Sequence, residues 1–284
     1  MKGWILASAG VSLLLMNSSC SLMEPVGGGG HGDHANHASA PSQGEHAHHG
    51  GGESTYTATK AVFALPDVVR PGETAPLSIQ LRDDAGAALE KFDVNHEKLM
   101  HLIVVSEDLS HFEHRHPEYD GQGTFRDELT FPAGGRYKLF ADFLPAGGAQ
   151  QTVGEWVEVE GKGEERPVEP DAELVKTVEG KVVELAIEGL APNAETMLTF
   201  SFKDAASGRG IDDLEPYLGA VGHVVILSED AETYLHVHPA DEGATGPEAM
   251  FHTSFPASGT YKLWGQFQHE GRLITVPFVV NVPK

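Results

Sequence analysis

Past residue 55 the chain alternates apolar and polar positions in short runs, broken by Pro, Gly, Asp and Asn every few residues. No stretch keeps a helical period. Side chains of a strand point alternately to opposite faces, so this texture predicts an all-β fold. In the first half strands are expected near 58–65, 74–82, 99–106, 111–116, 124–131, 135–143 and 151–159. In the second they are expected near 174–178, 181–188, 195–203, 221–228, 233–238, 249–255, 259–267 and 273–282. Roughly seven short strands per 100 residues is the pattern of an immunoglobulin-like sandwich.

The two halves repeat one another. LMHLIVVSE at 99–107 matches VGHVVILSE at 221–229, and FEHRHP at 112–117 matches YLHVHP at 234–239. FPAGGRYKLFADF at 131–143 matches FPASGTYKLWGQF at 255–267. A fainter echo, LSIQLRDDAG against LTFSFKDAASG, precedes them. The expected organisation is two tandem β-sandwiches, residues 56–160 and 173–284, joined by a charged, Pro-containing linker at 161–172.

Each copy carries the same histidine pattern, H-x12-H-x-H-P: His101, His114 and His116 in the first, His223, His236 and His238 in the second. Residues i and i+2 of a strand share a face, so each H-x-H pair is adjacent, and a hairpin brings the earlier histidine across to it. Three neutral imidazoles suit Cu(II), Zn(II) or Ni(II) better than Cu(I), which prefers sulfur. Each triad is expected to serve its own copy, and Met100 is the sulfur nearest the first. A second reading makes the six histidines buried hydrogen-bonding residues, since LMHLIVV is apolar on both faces. Near the triads His96, Glu97, Asp93, Asp212 and Glu215 are candidate donors without a repeat-matched partner. His111, His252 and His269 read as surface residues, and Met250 reads as core.

Residues 20–55 cannot build a core. They hold a run of glycines and His31, His34, His37, His46, His48 and His49 among small and acidic residues. This composition predicts a disordered His-rich tail that collects divalent metal weakly. The formal charge of −23 disfavours nucleic acid and favours cations. No phosphate loop, nucleophile elbow or recurring general base is present, so no enzyme is expected.

Residues 1–19 read as an export signal: Lys2, an apolar run from Trp4 to Met16 too short to span a bilayer, then small residues before Cys20. Ser18-Ser19-Cys20 resembles a bacterial lipoprotein box, which implies that Cys20, the only cysteine, is lipidated. Asn17 departs from the apolar residue usual there and leaves an ordinary signal peptide or an uncleaved anchor as alternatives. GHVVILSED…YLHVHP…FPASGTYKLWGQF resembles secreted bacterial YtkA-like or FixH-like immunoglobulin-type domains. That resemblance implies a setting of copper handling or cytochrome assembly at the cell membrane. The functional expectation is a membrane-anchored extracytoplasmic lipoprotein that binds and delivers copper or zinc to a membrane partner. The alternative is a metal-free interaction module.

Overall fold

The computed structural model describes residues 59–163 and 165–284, the side chains of His236 and His238 excepted. The expected signal, Cys20 and the tail histidines lie outside the described residues.

The first copy contains nine strands: β1 (Lys60–Ala64), β2 (Thr74–Arg82), β3 (Phe92–Asp93), β4 (Met100–Ser106), β5 (Phe112–Arg115), β6 (Glu118–Gly121), β7 (Thr124–Thr130), β8 (Gly135–Pro145) and β9 (Gln151–Val159). The second contains eight: β10 (Val175–Val178), β11 (Lys181–Glu188), β12 (Glu195–Asp204), β13 (His223–Ser228), β14 (Tyr234–Pro239), β15 (Glu248–Ser254), β16 (Gly259–His269) and β17 (Arg272–Val282). Every expected strand is present. The additions, β3 and β6, are too short for alternation to register.

Among the described residues all the pairings between these strands are antiparallel. In the first copy β1-β2-β7-β6 faces a sheet in which β8 pairs with β3, β4 and β9, and β4 pairs with β5. In the second the order is β10-β11-β12-β15-β14-β13-β16-β17. There β14 passes between the sheets, pairing with β13 along most of its length and with β15 at His238 and Pro239. Each copy also ties a tyrosine back to the main chain four residues upstream. Tyr137 donates to the Ala133 carbonyl at 3.0 Å, and Tyr261 donates to that of Ala257 at 3.1 Å. This echoes the tyrosine corner of immunoglobulin-like sandwiches. The chain is therefore all-β, two tandem immunoglobulin-like sandwiches.

Each sandwich has its own core. Leu77, Ile79, Leu102, Val104, Phe125 and Leu139 are among the residues filling the first. Leu198, Phe200, Val224, Ile226, Phe251 and Phe267 are among those filling the second. A third apolar cluster joins the copies: Ile103, Val105 and Phe140 of one with Val225, Leu227 and Trp264 of the other.

The strands that are apolar on both faces are thereby explained. In β4, Leu102 and Val104 enter the core while Ile103 and Val105 meet the second copy. In β13, Val224 and Ile226 enter the core while Val225 and Leu227 meet the first. The contacts are reciprocal. Phe112 stacks on Trp264 at 4.7 Å and 12°, and Tyr234 lies 5.4 Å from Phe140. These pairs exchange equivalent positions, so the copies are related by an approximate two-fold axis. Lys138, buried in the first copy, reaches Glu232 of the second at 2.7 Å. Lys262 of the second donates to the Leu109 carbonyl at 2.7 Å.

Between the copies, Val168 packs against the shared cluster, and Asp171 accepts from Val279 N at 2.8 Å.

Candidate metal centre

At one end of this joint the histidines gather. The hairpin of β4 and β5 pairs Leu102 with Arg115 and Ile103 with His114. His101, His114 and His116 therefore emerge on the face that also carries Ile103 and Val105. Their ligand-capable nitrogens all lie within 4.8 Å of one another. Ring centroids are 5.1 Å apart for His101 and His114, 5.1 Å for His101 and His116, and 4.8 Å for His114 and His116.

Hydrogen bonds fix the tautomers. His101 Nε2 lies 2.9 Å from the Asn95 carbonyl oxygen, which can only accept, so Nε2 carries the hydrogen. His114 Nδ1 lies 2.6 Å from Gln266 Oε1 of the second copy. An amide oxygen can only accept, so His114 Nδ1 carries the hydrogen, while Gln266 Nε2 donates to Thr275 Oγ1 at 3.3 Å. The two remaining nitrogens, His101 Nδ1 and His114 Nε2, face each other at 2.9 Å. In the neutral rings both hold lone pairs. Burial, with His101 next, holds His114 down at about 3. Burial, with His101 next, does the same to His116. His116 Nε2 is buried without a hydrogen-bond partner among the described residues.

This donor set fits a metal ion. Tetrahedral ligation at about 2.0–2.1 Å places ligand nitrogens about 3.3 Å apart, within the range spanned here. The backbone carbonyl behind His101 and the side-chain amide behind His114 are the supports that ligating imidazoles ordinarily have. Sulfur is not part of it. Met100 points the other way, 1% exposed in the first core.

The second copy repeats the frame. His223 Nε2 donates to the Tyr217 carbonyl at 3.0 Å, as His101 does to Asn95, six residues upstream in each case. Both acceptor carbonyls open tight two-residue turns. Asn95 and Lys98 bond reciprocally around His96 and Glu97, and Tyr217 and Ala220 do so around Leu218 and Gly219. All four central residues have positive φ, as a type I′ turn requires. By backbone register His236 opposes Val225 as His114 opposes Ile103. His238 follows on the same strand.

In the first copy the three expected histidines come together, and in the second the side chains of His236 and His238 lie outside the described ones. The His223 ring lies 6.2 Å from His101 and 6.1 Å from His114, across the joint. Burial, then His96 and His114, holds it at about 3. His96 belongs to the cluster too, edge-on to His223 at 4.7 Å. It was named from the sequence as a candidate donor without a repeat-matched partner, and the equivalent turn position is Leu218.

The carboxylates named from sequence are used elsewhere. Asp93 accepts from Gly147 N, and Glu215 accepts from Gly271 N and Gln268 Nε2. Asp212 is exposed. His252 is exposed as expected, whereas His111 is partly buried beside Glu113 at 3.1 Å. Two expectations fail. His269 is buried, with Nε2 2.9 Å from Asp213 Oδ1, and Met250 is 42% exposed because Ala249 and Phe251 on either side take the inward positions. One residue that the sequence did not single out is Asp142, 0% exposed. It pairs with His101 across β4 and β8 as Gln266 pairs with His223 across β13 and β16. Asp142 accepts from Gln150 Nε2 at 2.8 Å and from Tyr234 of the second copy at 3.3 Å.

Two immunoglobulin-like sandwiches docked around an imidazole cluster define the class of the molecule. The chain belongs to the family described as a domain of unknown function, DUF8832, whose model matches it twice, over residues 56–161 and 176–284. None of the curated proteins matches it. Among solved structures it is similar to the bacterial integrin-binding protein invasin, at 14% identity over 78% of this chain and 39% of that one, with a TM-score of 0.23. It is also similar to domains 4 and 5 of the S-layer protein SbsC (12% identity, 79% of this chain, 98% of that one, TM-score 0.23). Trypsin-activated alpha-2-macroglobulin from Escherichia coli gives 16%, 79%, 15% and 0.27. Superpositions this loose carry no argument about function. Among the described residues no helix is long and apolar enough to cross a membrane.

Proposed function

We propose that this protein is an extracytoplasmic, lipid-anchored metal-binding protein that takes up Cu(II) or Zn(II) and passes it to a membrane partner. The observation that carries the reading is the convergence of His101, His114 and His116, whose ligand-capable nitrogens all lie within 4.8 Å of one another, with His101 Nδ1 and His114 Nε2 at 2.9 Å. A cation between them would be bonded by both nitrogens. His116 supplies the third donor. The all-nitrogen donor set favours Cu(II) or Zn(II) over Cu(I). The resemblance of the second copy's motifs to YtkA-like and FixH-like domains favours copper. Cys20 is the proposed lipid anchor. The tail histidines, His31 to His49, are the proposed low-affinity collectors that raise the local metal concentration.

A metal-free interaction module, with the imidazoles as structural residues, accounts for the buried, hydrogen-bonded His101 and His223. It leaves the convergence of the three imidazoles without a role.

The test is calorimetric titration of Cu(II) and Zn(II) into a chain whose six tail histidines are replaced by Gln. Stoichiometric binding at pH 7.5 is expected. His114→Ala with His116→Ala is expected to abolish the uptake that depends on these rings. Absence of uptake at pH 7.5, together with a large loss of thermal stability in the double variant, would favour the interaction module.

A further inference from the structure

The ligands of the first copy are not held by the first copy alone. Gln266, on β16 of the second sandwich, takes the Nδ1 hydrogen of His114 at 2.6 Å and so reserves Nε2 as the donor nitrogen. Opposite Gln266 in the register of β13 and β16 stands His223. Its Nε2 hydrogen is committed to the Tyr217 carbonyl at 3.0 Å, which leaves the lone pair on Nδ1. Imidazoles bound at about 2.0–2.1 Å have centroids about 3.2 Å from the ion, so two rings sharing one ion are at most about 6.4 Å apart. His223 satisfies this bound with His101 at 6.2 Å and with His114 at 6.1 Å, and it stands outside the group of nitrogens within 4.8 Å that the triad forms, so it joins by turning its ring toward the ion.

Resting on the metal-binding reading above, we propose that the ion centre is composite. His101, His114 and His116 come from the first sandwich and His223 from the second as fourth ligand, with Gln266 as the positioning residue that selects His114 Nε2. The ion then binds the docked pair of sandwiches more tightly than an undocked one, and that difference adds to the joint between them.

The experiment uses the full chain with its six tail histidines replaced by Gln, and Cu(II) alone as the probe. Gln266→Leu removes the acceptor behind His114 and is expected to weaken Cu(II) binding about 10–100-fold. Gln266→Glu, which restores an acceptor, is expected to recover it, and a purely structural role would not give that rescue. His223→Gln is expected to weaken binding and to reduce the nitrogen hyperfine pattern of the bound Cu(II) from four ligands to three. If the unsubstituted site binds Cu(II) but either variant keeps its affinity within twofold, that residue's part in the centre is overturned while the metal-binding reading stands. If the unsubstituted site takes up no Cu(II), both readings fall together. Should Gln266→Leu not melt cooperatively, His223→Gln decides by the same criterion.

Discussion

At the scale of single residues the cluster is a set of imidazoles kept neutral by burial. His114, His116 and His223 all sit at about 3 in the fold against about 6.5 in an unfolded chain. Between those values the unfolded chain takes up protons that the native one refuses, so stability falls as pH drops from about 6.5 toward 3. Above about 6.5 these groups contribute no slope. Thermal melts of the metal-free protein at pH 7.5, 5.5 and 4.5 are expected to show a steady decline below 6.5. His116→Gln is expected to flatten it, and an unchanged slope in that variant would contradict the assignment. The spacing H-x12-H-x-H made these residues legible, because strand periodicity and a hairpin suffice to bring them together. Gln266 and Asp142 were not legible. Nothing local marks a residue whose partner lies in the other copy.

At the scale of strands, alternation read the secondary structure well, since these sandwiches bury one face of most strands and expose the other. It also showed that β4 and β13 are apolar on both faces, but period alone cannot say what covers the second face. Met250 shows the converse: its type suggested the core, while the alternation of Ala249 and Phe251 had already assigned it outward. The strands next to the site are packed closely at Gly222. A Cβ there would lie 2.5 Å from Phe267 Cδ1 and 2.6 Å from the Gln266 carbonyl oxygen. The equivalent residue of the first copy is Met100, whose long side chain is accommodated in its core. Gly222→Ala is therefore expected to cost about 1–3 kcal/mol, measured by denaturant unfolding. A neutral result would mean that Phe267 and its strand yield freely.

At the scale of the molecule, two cores and a shared apolar joint make docking part of stability. Trp264, 4% exposed, stacks on Phe112 across that joint. Trp264→Ala is expected to cost about 3–5 kcal/mol and to split a single calorimetric transition into two, one per sandwich. Retention of one transition with a small shift would show that the copies are coupled by something other than this cluster. The duplication was plain in the sequence, whereas the docking was not. Repeats announce similar folds, but the surface joining them appears only as an unexplained second row of apolar side chains.

The approximate two-fold axis through the joint has a further consequence. Geometrically the molecule is an isologous dimer whose two subunits share one chain. In a dimer of identical subunits every substitution at the axis is made twice, and both halves must tolerate it. A single chain lifts that restriction, and this one has diverged at matched positions: Gln266 answers Asp142, Leu218 answers His96, and Gly222 answers Met100. An amide on one side and a carboxylate on the other give the halves unequal basicity, an asymmetry that no homodimer of either copy can hold.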